Sequence, residues 1–302
     1  MERVTDPLDG HVFEVVVPVS KNGLGGFDSD GCSYAKGQQA RTFEIVTSPT
    51  TLYSAPMESF QEAIPDEQKA ALVEMLLGLG RDVDDVRKLS PSDKYELAAA
   101  VARQLGKGNY AAGELYLTAA WTVRDTIVGF LPGVQGASDA WSKFVETLPM
   151  VREVDNDRGA TIAFFDMARL AHRGGFSHER DDMLRLSEQI PDAGLNADAK
   201  RVEFGRRVQR EMQLLGKARD AFRAGLEANE GTPEERAGYR FLVGDLSRRL
   251  GEFDVARTEL EAVELAASAS EETKSLARDV LAVLKVQAQQ PSVQVEVPNS
   301  EQ

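Results

Sequence analysis

Two spacings of apolar residues divide the chain. Up to about residue 58 they come in short runs, at residues 11–17 and 42–47, set among Gly, Asp, Ser, Thr and Val, which predicts strands of a small β module. Between the runs, Lys21-Asn22-Gly23-Leu24-Gly25-Gly26-Phe27-Asp28-Ser29-Asp30-Gly31-Cys32 is made of glycines and short polar side chains that favour turns. After Pro65 the spacing becomes helical, with Leu72, Met75, Leu76 and Leu79 on one face. Ser90 before Pro91, and Thr232 before Pro233 with Glu235 behind, supply hydroxyl caps, first-turn prolines and a capping-box carboxylate. Residues 289–302 carry two prolines and few large apolar groups, too few to offset chain entropy, and are expected to form a disordered tail. The boundaries that follow are 1–58 for the β module, 59–90 for a connecting helix and linker, 91–288 for a helical domain and 289–302 for the tail.

Within the helical part a repeating frame stands out. In residues 237–265, Tyr239, Leu242, Val243, Leu246 and Leu250 form one stripe, Gly251 allows a turn, and Phe253, Ala256, Leu260 and Val263 follow at helical spacing. Glycine, aromatic and small residue in that order are the frame of a tetratricopeptide unit. The frame returns at Gly108, Tyr110, Gly113, Leu117 and Ala120, after the stripe Leu97, Val101 and Leu105. Weaker copies are expected at Gly174, Phe176, Met183, Leu186 and Pro191, with Glu179 where a small residue belongs, and at Gly216, Ala221 and Ala228. A last helix bearing Leu276, Val280, Val283 and Leu284 would close the stack. Apolar stripes alone mark the core of any helical protein, so the repeat reading rests on the glycine-aromatic-alanine frame.

Asp6-Pro7-Leu8-Asp9-Gly10, Phe13-Glu14-Val15, Val19-Ser20-Lys21, Asp28-Ser29-Asp30-Gly31-Cys32 with Tyr34, Ser48-Pro49-Thr50-Thr51, and Gly108-Asn109-Tyr110 through Ala120-Trp121 to Arg124 together form a pattern over most of residues 5–265. That pattern resembles an uncharacterised bacterial family, domain of unknown function 2225. The resemblance implies a zinc-ribbon-like N-terminal module ahead of tetratricopeptide-like helices, and no activity. The family has Cys at both ends of Cys-Pro-x-Cys and Cys-x-x-Cys; here Asp6, Asp9, Ser48 and Thr51 stand in those places. Two carboxylates and two hydroxyls make a poor zinc site, so the ribbon is expected to be degenerate and metal-free, with no cofactor. Val12, Phe13, Val15, Val17, Phe43, Ile45 and Val46, helped by docking on the helices, would then replace the metal's contribution to folding. The fold class expected is mainly α: an irregular tetratricopeptide-like array preceded by a small β module.

Composition narrows the partners. At a formal charge of −14 and a pI near 4.8, the 302-residue chain disfavours phosphate backbones and anionic lipid, so nucleic acid is not expected. No apolar run reaches the roughly 20 residues that span a bilayer, and Met1-Glu2-Arg3-Val4-Thr5-Asp6 does not open a leader, so a cytoplasmic protein without membrane insertion is expected. Cys32 stands alone, in keeping with a reducing compartment.

The chemical candidates are few. Asp6, Asp9, Asp28 and Asp30 carry oxygen ligands suited to calcium or magnesium, but lack calcium-loop spacing, and Asp-Gly-Ser segments are ordinarily turns. His11, His172 and His178 show no two-histidine helix motif, and Cys32 has no nucleophile signature. Gly23-Leu24-Gly25-Gly26 lacks the ending and the helix of a phosphate loop. Trp121 is expected in the helical core beside Leu117 and Ala120, whereas Trp141 has no obvious place. Residues 200–257 hold 13 Lys and Arg against 10 Asp and Glu. There Arg206, Arg207, Arg210, Arg240, Arg248 and Arg249 are candidates for a groove that takes an acidic protein segment, the alternative being solvated helix faces paired with Glu. No catalytic set emerges. The function expected is a non-enzymatic protein-protein adaptor or scaffold of a bacterial cytoplasm, with two rivals: a metal- or small-ligand-sensing regulator using the N-terminal module, and a self-associating structural component.

Overall fold

A computed structural model describes residues 1–17, 22–79, 86, 88–151, 154, 156–191 and 194–289. It is mainly helical with a small β part at the N-terminus. Strands β1 (Glu2–Thr5) and β2 (Val12–Val15) pair antiparallel, as do β3 (Ile45–Thr47) and β4 (Ser54–Pro56). The helices are α1 (Asp66–Gly78), α2 (Pro91–Gln104), α3 (Asn109–Val128), α4 (Ala137–Val151), α5 (Asp157–Gly174), α6 (Ser177–Ser187), α7 (Ala197–Glu227), α8 (Pro233–Arg249), α9 (Phe253–Leu265) and α10 (Glu271–Gln289). The strand expected at residues 42–47 is shorter, because a 3-10 turn occupies Ala40–Phe43. The expected tail lies outside the described residues except for Gln289, which ends α10.

Local chemistry fixes several ends as the sequence suggests. Ser90 Oγ accepts from the Asp93 amide at 3.2 Å while the Asp93 carboxylate accepts from the Ser90 amide at 3.1 Å, and Thr232 and Glu235 repeat this box at α8. Gly251, in the left-handed region at φ +82°, separates α8 from α9, and Gly175 at φ +81° caps α5 before α6.

The helices do not form a simple linear stack. In a solenoid each repeat touches its sequence neighbours, yet the broadest helix contact is between α3 and α7, with α4, α5 and α6 an excursion between them. Two glycines make the approach possible: a Cβ on Gly113 of α3 would lie 2.5 Å from the Phe222 ring of α7, and Gly225 of α7 faces the Tyr110 ring of α3 in the same way. Tyr239 of α8 then stacks on Tyr110 at 3.8 Å between centroids. The turn expected at Gly216 is absent, since Gly216 sits inside the 31-residue α7. Leu214, Leu215, Ala218, Ala221 and Phe222 are buried around it, and that packing outweighs the roughly 1 kcal/mol helix penalty of one glycine. Trp121 is only partly buried, and Trp141 stacks on Phe176 at 4.1 Å.

Two cores join the β module to the helices. Cys32, Tyr34 and Ile45 belong to the main helical core, whereas Val4, Val46, Leu52, Tyr53 and Phe60 pack with Leu72, Leu76, Leu97 and Val101 of α1 and α2. Of the seven apolar residues expected to hold the module together, Ile45 and Val46 are buried, Phe13 and Val15 pack partly against the second core, and Val12 is exposed.

Candidate functional site

The glycine-rich segment between the strand pairs is the centre of the molecule's charge chemistry. The Gly25 amide donates to the Tyr34 carbonyl at 2.8 Å, the Tyr34 amide to Gly26 at 3.0 Å, and the Asp28 amide to Cys32 at 2.8 Å, which closes a tight loop with Asp28, Ser29 and Asp30 at its tip. Gly25 is required there, because a Cβ would lie 2.6 Å from the Tyr34 side chain. The tip enters the helical part and its two carboxylates are buried.

Three arginines meet them, and a fourth, Arg248, joins through Asp245. Asp28 Oδ1 pairs with Arg173 Nε of α5 at 3.1 Å; its Oδ2 accepts from the Tyr34 hydroxyl at 2.7 Å and faces Arg124 of α3 at 3.3 Å and Arg249 of α8 at 3.4 Å. Asp30 Oδ2 pairs with Arg124 Nη1 at 2.8 Å and lies 3.7 Å from Arg249. Ser29 donates to Asp245 at 2.6 Å, and Asp245 pairs with Arg248 at 2.8 Å. Behind Arg124, Glu211 of α7 takes its Nε at 2.7 Å and contacts His172 Nε2 at 2.7 Å. The Arg173 guanidinium lies 4.0 Å over the Tyr34 ring. Positive and negative charges alternate through this interior, which is what makes four buried guanidiniums tolerable.

The electrostatics follow. Burial alone would raise the Asp30 carboxyl, but Arg124 and Arg249 hold it well below the usual range. Glu211, equally buried, is held at about 2 by Arg124 and His172. Burial lowers His172 despite Glu211 beside it, and burial pushes the Cys32 thiol up, the opposite of what activates a nucleophile. Arg41, beside the loop, pairs with Asp125 of α3 at 2.9 Å, and Asp125 is pushed up to about 7 by burial.

The turns at residues 6–11 and 48–53 are near copies. In one, the Asp6 amide donates to His11 at 2.8 Å and Gly10 to Asp6 at 3.0 Å; in the other, Ser48 donates to Tyr53 at 2.9 Å and Leu52 to Ser48 at 3.2 Å. Gly10 and Leu52 hold the same left-handed place, at φ +77° and +63°. In each turn the first side chain caps the amide two residues on, Asp6 that of Leu8 and Ser48 that of Thr50. The turns are joined by Thr51 Oγ1 donating to Asp6 Oδ2 at 2.6 Å. Three of the four positions where the resemblance places thiolates, 6, 48 and 51, are thus tied by direct or shared hydrogen bonds, while Asp9 caps the His11 amide at 2.8 Å. No group of three or more metal-binding side chains occurs among the described residues. Asp6 and Asp9 belong to this pair of turns and Asp28 and Asp30 to the arginine interior, so the four acids do not gather round one cation.

The six candidate arginines are not brought into one groove. Arg248 and Arg249 are buried in the charged interior. Arg206 and Arg207 pair with Glu203, Arg210 with Asp93 and Glu96 of α2, and Arg240 with Glu259 of α9 at 3.4 Å. Sequence reading missed Arg124, Arg173 and Glu211. The signal available for Arg124 was a lone charge on the same helix face as Leu117 and Ala120. His172 is buried in this network, and among the described residues no helix is long and apolar enough to cross a membrane.

No protein-family model matches the chain, and no curated protein or solved structure matches it.

Outside the charged interior lies an apolar cleft between the two strand pairs. Its larger part, about 740 Å³, is lined by Val15, Val16, Val17, Phe43, Ile45 and Val46 together with Tyr95 and residues of α3. A smaller part of about 370 Å³ shares Val15, Val16, Phe43, Ile45 and Val46 with it.

Proposed function

We propose that this protein is a non-enzymatic adaptor: a helical scaffold, with its β module clamped into it, that holds a partner protein. The observation that carries this reading is the acidic loop itself. The helices receive a chain segment by its backbone and its two carboxylates, through Arg124, Arg173 and Arg249, which is how such a scaffold would hold a guest. The residues most apt for chemistry have structural work: Glu211 neutralises Arg124, His172 leans on Glu211, and the raised Cys32 thiol sits in the main core.

The acidic segment first expected from outside is here supplied by the chain, so the partner-binding surface is sought elsewhere than at Arg248 and Arg249. The test is capture of tagged full-length protein from its native cells, quantified by mass spectrometry, beside a chain carrying Arg206→Glu and Arg207→Glu. A near-stoichiometric partner is expected with both chains. Loss in the double variant would put the partner on α7, and a chain that captures nothing while remaining monomeric would sink the adaptor reading.

A further inference from the structure

Beyond the backbone bonds of Gly25 and Gly26 to Tyr34, the neck of the charged loop is held by the side chain of Asn22. Its Oδ1 accepts from the Lys36 amide at 3.0 Å and its Nδ2 donates to the Lys36 carbonyl at 3.4 Å, which bridges the two ends of the segment whose tip carries Asp28 and Asp30. Gly23 follows, making the one Asn-Gly pair in the chain, and both residues are exposed. A backbone nitrogen can attack the side-chain carbonyl of the asparagine before it, and a glycine nitrogen is the least obstructed because it carries no Cβ beside it.

The surroundings favour that attack. The Gly23 amide donates to no acceptor among the described residues, so no hydrogen bond has to be broken to free its nitrogen. A Cβ built on Gly23 would meet only the Phe27 ring, at 3.4 Å, so nothing else crowds that side. The Lys36 amide already points at Oδ1, the atom that takes the negative charge when the carbonyl carbon becomes tetrahedral, and a donor preorganised at such an atom lowers the barrier. The bond from Nδ2 is long for an N–H donor, so the nitrogen that has to depart is weakly held.

We propose that Asn22 is a site of spontaneous modification, converted to aspartate and isoaspartate by the Gly23 nitrogen and water, and that the change loosens the neck of the charged loop. The Gly23 nitrogen gives its proton to hydroxide and bonds to Asn22 Cγ. The Cγ–Nδ2 bond then breaks, and Nδ2 takes a proton from water and leaves as ammonia, which returns the hydroxide and closes a succinimide ring. Water opens the ring at either carbonyl: cleavage at Cγ leaves aspartate, and cleavage at the main-chain carbonyl leaves isoaspartate, whose backbone runs through Cβ and Cγ. One water is consumed and one ammonia released, with nothing oxidised or reduced. Both products lose the Nδ2 donor and set a carboxylate near the Lys36 carbonyl, and isoaspartate also lengthens the neck by one backbone carbon. None of this requires the adaptor function.

The test ages the full-length protein in buffer near neutral pH, beside the same chain held unfolded in guanidinium chloride, and follows the peptide containing Asn22 by mass spectrometry. Conversion at Asn22 is expected to be about tenfold faster in the folded chain, a modest part of what one preorganised oxyanion donor supplies. Methylation of the aged chain by an isoaspartyl methyltransferase should mark the isoaspartate product at the same peptide. Gly23→Ala, whose Cβ the site accepts against Phe27, should slow conversion in the folded chain at least about tenfold by holding the nitrogen off Cγ. Should that variant fail to fold, Asn22→Gln decides, because its longer side chain demands a larger ring and should leave the site unconverted. Aged wild type should unfold at lower urea concentration than fresh protein, whereas aged Gly23→Ala should match its own fresh sample. Conversion that is equal or slower in the folded chain overturns the proposal, since the fold would then protect Asn22. Conversion unchanged in Gly23→Ala or in Asn22→Gln overturns it too, and a modified chain as resistant to urea as fresh protein overturns the loosening of the neck.

Discussion

The loop around Asp28 and the paired turns at residues 6–11 and 48–53 both fasten the β module, and they do so by opposite means. The loop commits two carboxylates to an interior of arginines, where charge is compensated by charge at 2.8–3.4 Å and burial is complete. The paired turns use backbone bonds and one short contact, Thr51 to Asp6, at the edge of the module. In the first arrangement every partner is needed, because a buried charge left alone is costly. The second loses one hydrogen bond at a time. The clamp between module and helices should therefore be brittle at the loop and tolerant at the turns.

Arg124→Met should do the most damage. It removes the one guanidinium shared by Asp28, Asp30 and Glu211 while roughly keeping the volume, leaving Glu211 with His172 alone and Asp30 with only the more distant Arg249, which should cost about 3–5 kcal/mol in urea unfolding. A loss under about 1 kcal/mol would mean that the other arginines reorganise around the loop. Asp28→Asn comes next. The amide keeps an acceptor for Tyr34 or Arg173 but not the charge that faces three arginines, and about 1.5–3 kcal/mol should be lost. Protease cleavage near residue 27 should rise in parallel if the loop detaches from the helices.

How far the sequence foretold this can be judged residue by residue. The hydroxyl caps at Ser90 and Thr232 and the turn at Gly251 were legible because each depends on neighbours in the chain, and the turn expected at Gly174 falls one residue on, at Gly175. The mainly helical fold behind a small β part was legible for the same reason, since periodicity is local. Gly216 misled: nothing local says that a glycine lies in mid-helix when the decisive contact, α7 against α3, spans about a hundred residues. The Asp28 and Asp30 loop was visible as acidic and turn-forming, but its partners come from α3, α5 and α8, and no local rule pairs residue 28 with residues 124, 173 and 249. Arg248 and Arg249 were singled out for an acidic segment; Arg249 meets one in the same chain, whereas Arg248 pairs with Asp245 one turn back on its own helix. Strand β1 was missed because its four residues alternate too briefly to register beside the polar turn that follows.

Thr51→Val sharpens the comparison from its gentler side. The substitution keeps shape and removes the hydroxyl, so buried Asp6 loses its short donor but keeps the Leu8 amide, and about 1 kcal/mol of stability should go. A loss as large as that of Arg124→Met would place the paired turns on the same brittle footing as the loop.

A last effect concerns an ion pair that belongs to neither arrangement. Asp125 on α3 holds Arg41 at 2.9 Å, with Arg124 lowering and Glu211 raising its carboxyl, and burial carries it up to about 7. A carboxyl raised on folding binds protons more tightly in the folded chain. Its contribution to stability is therefore full below the ordinary aspartate range and is lost as pH rises through about 7. Asp125→Asn does not titrate, so wild type should lose stability relative to the variant as pH rises from 4 to 7.5. Urea midpoints of both chains across that range measure it. A parallel pair of profiles would mean that Arg41 keeps Asp125 ionised in the folded protein throughout, and the junction between module and helices would then be ionic from the loop to α3.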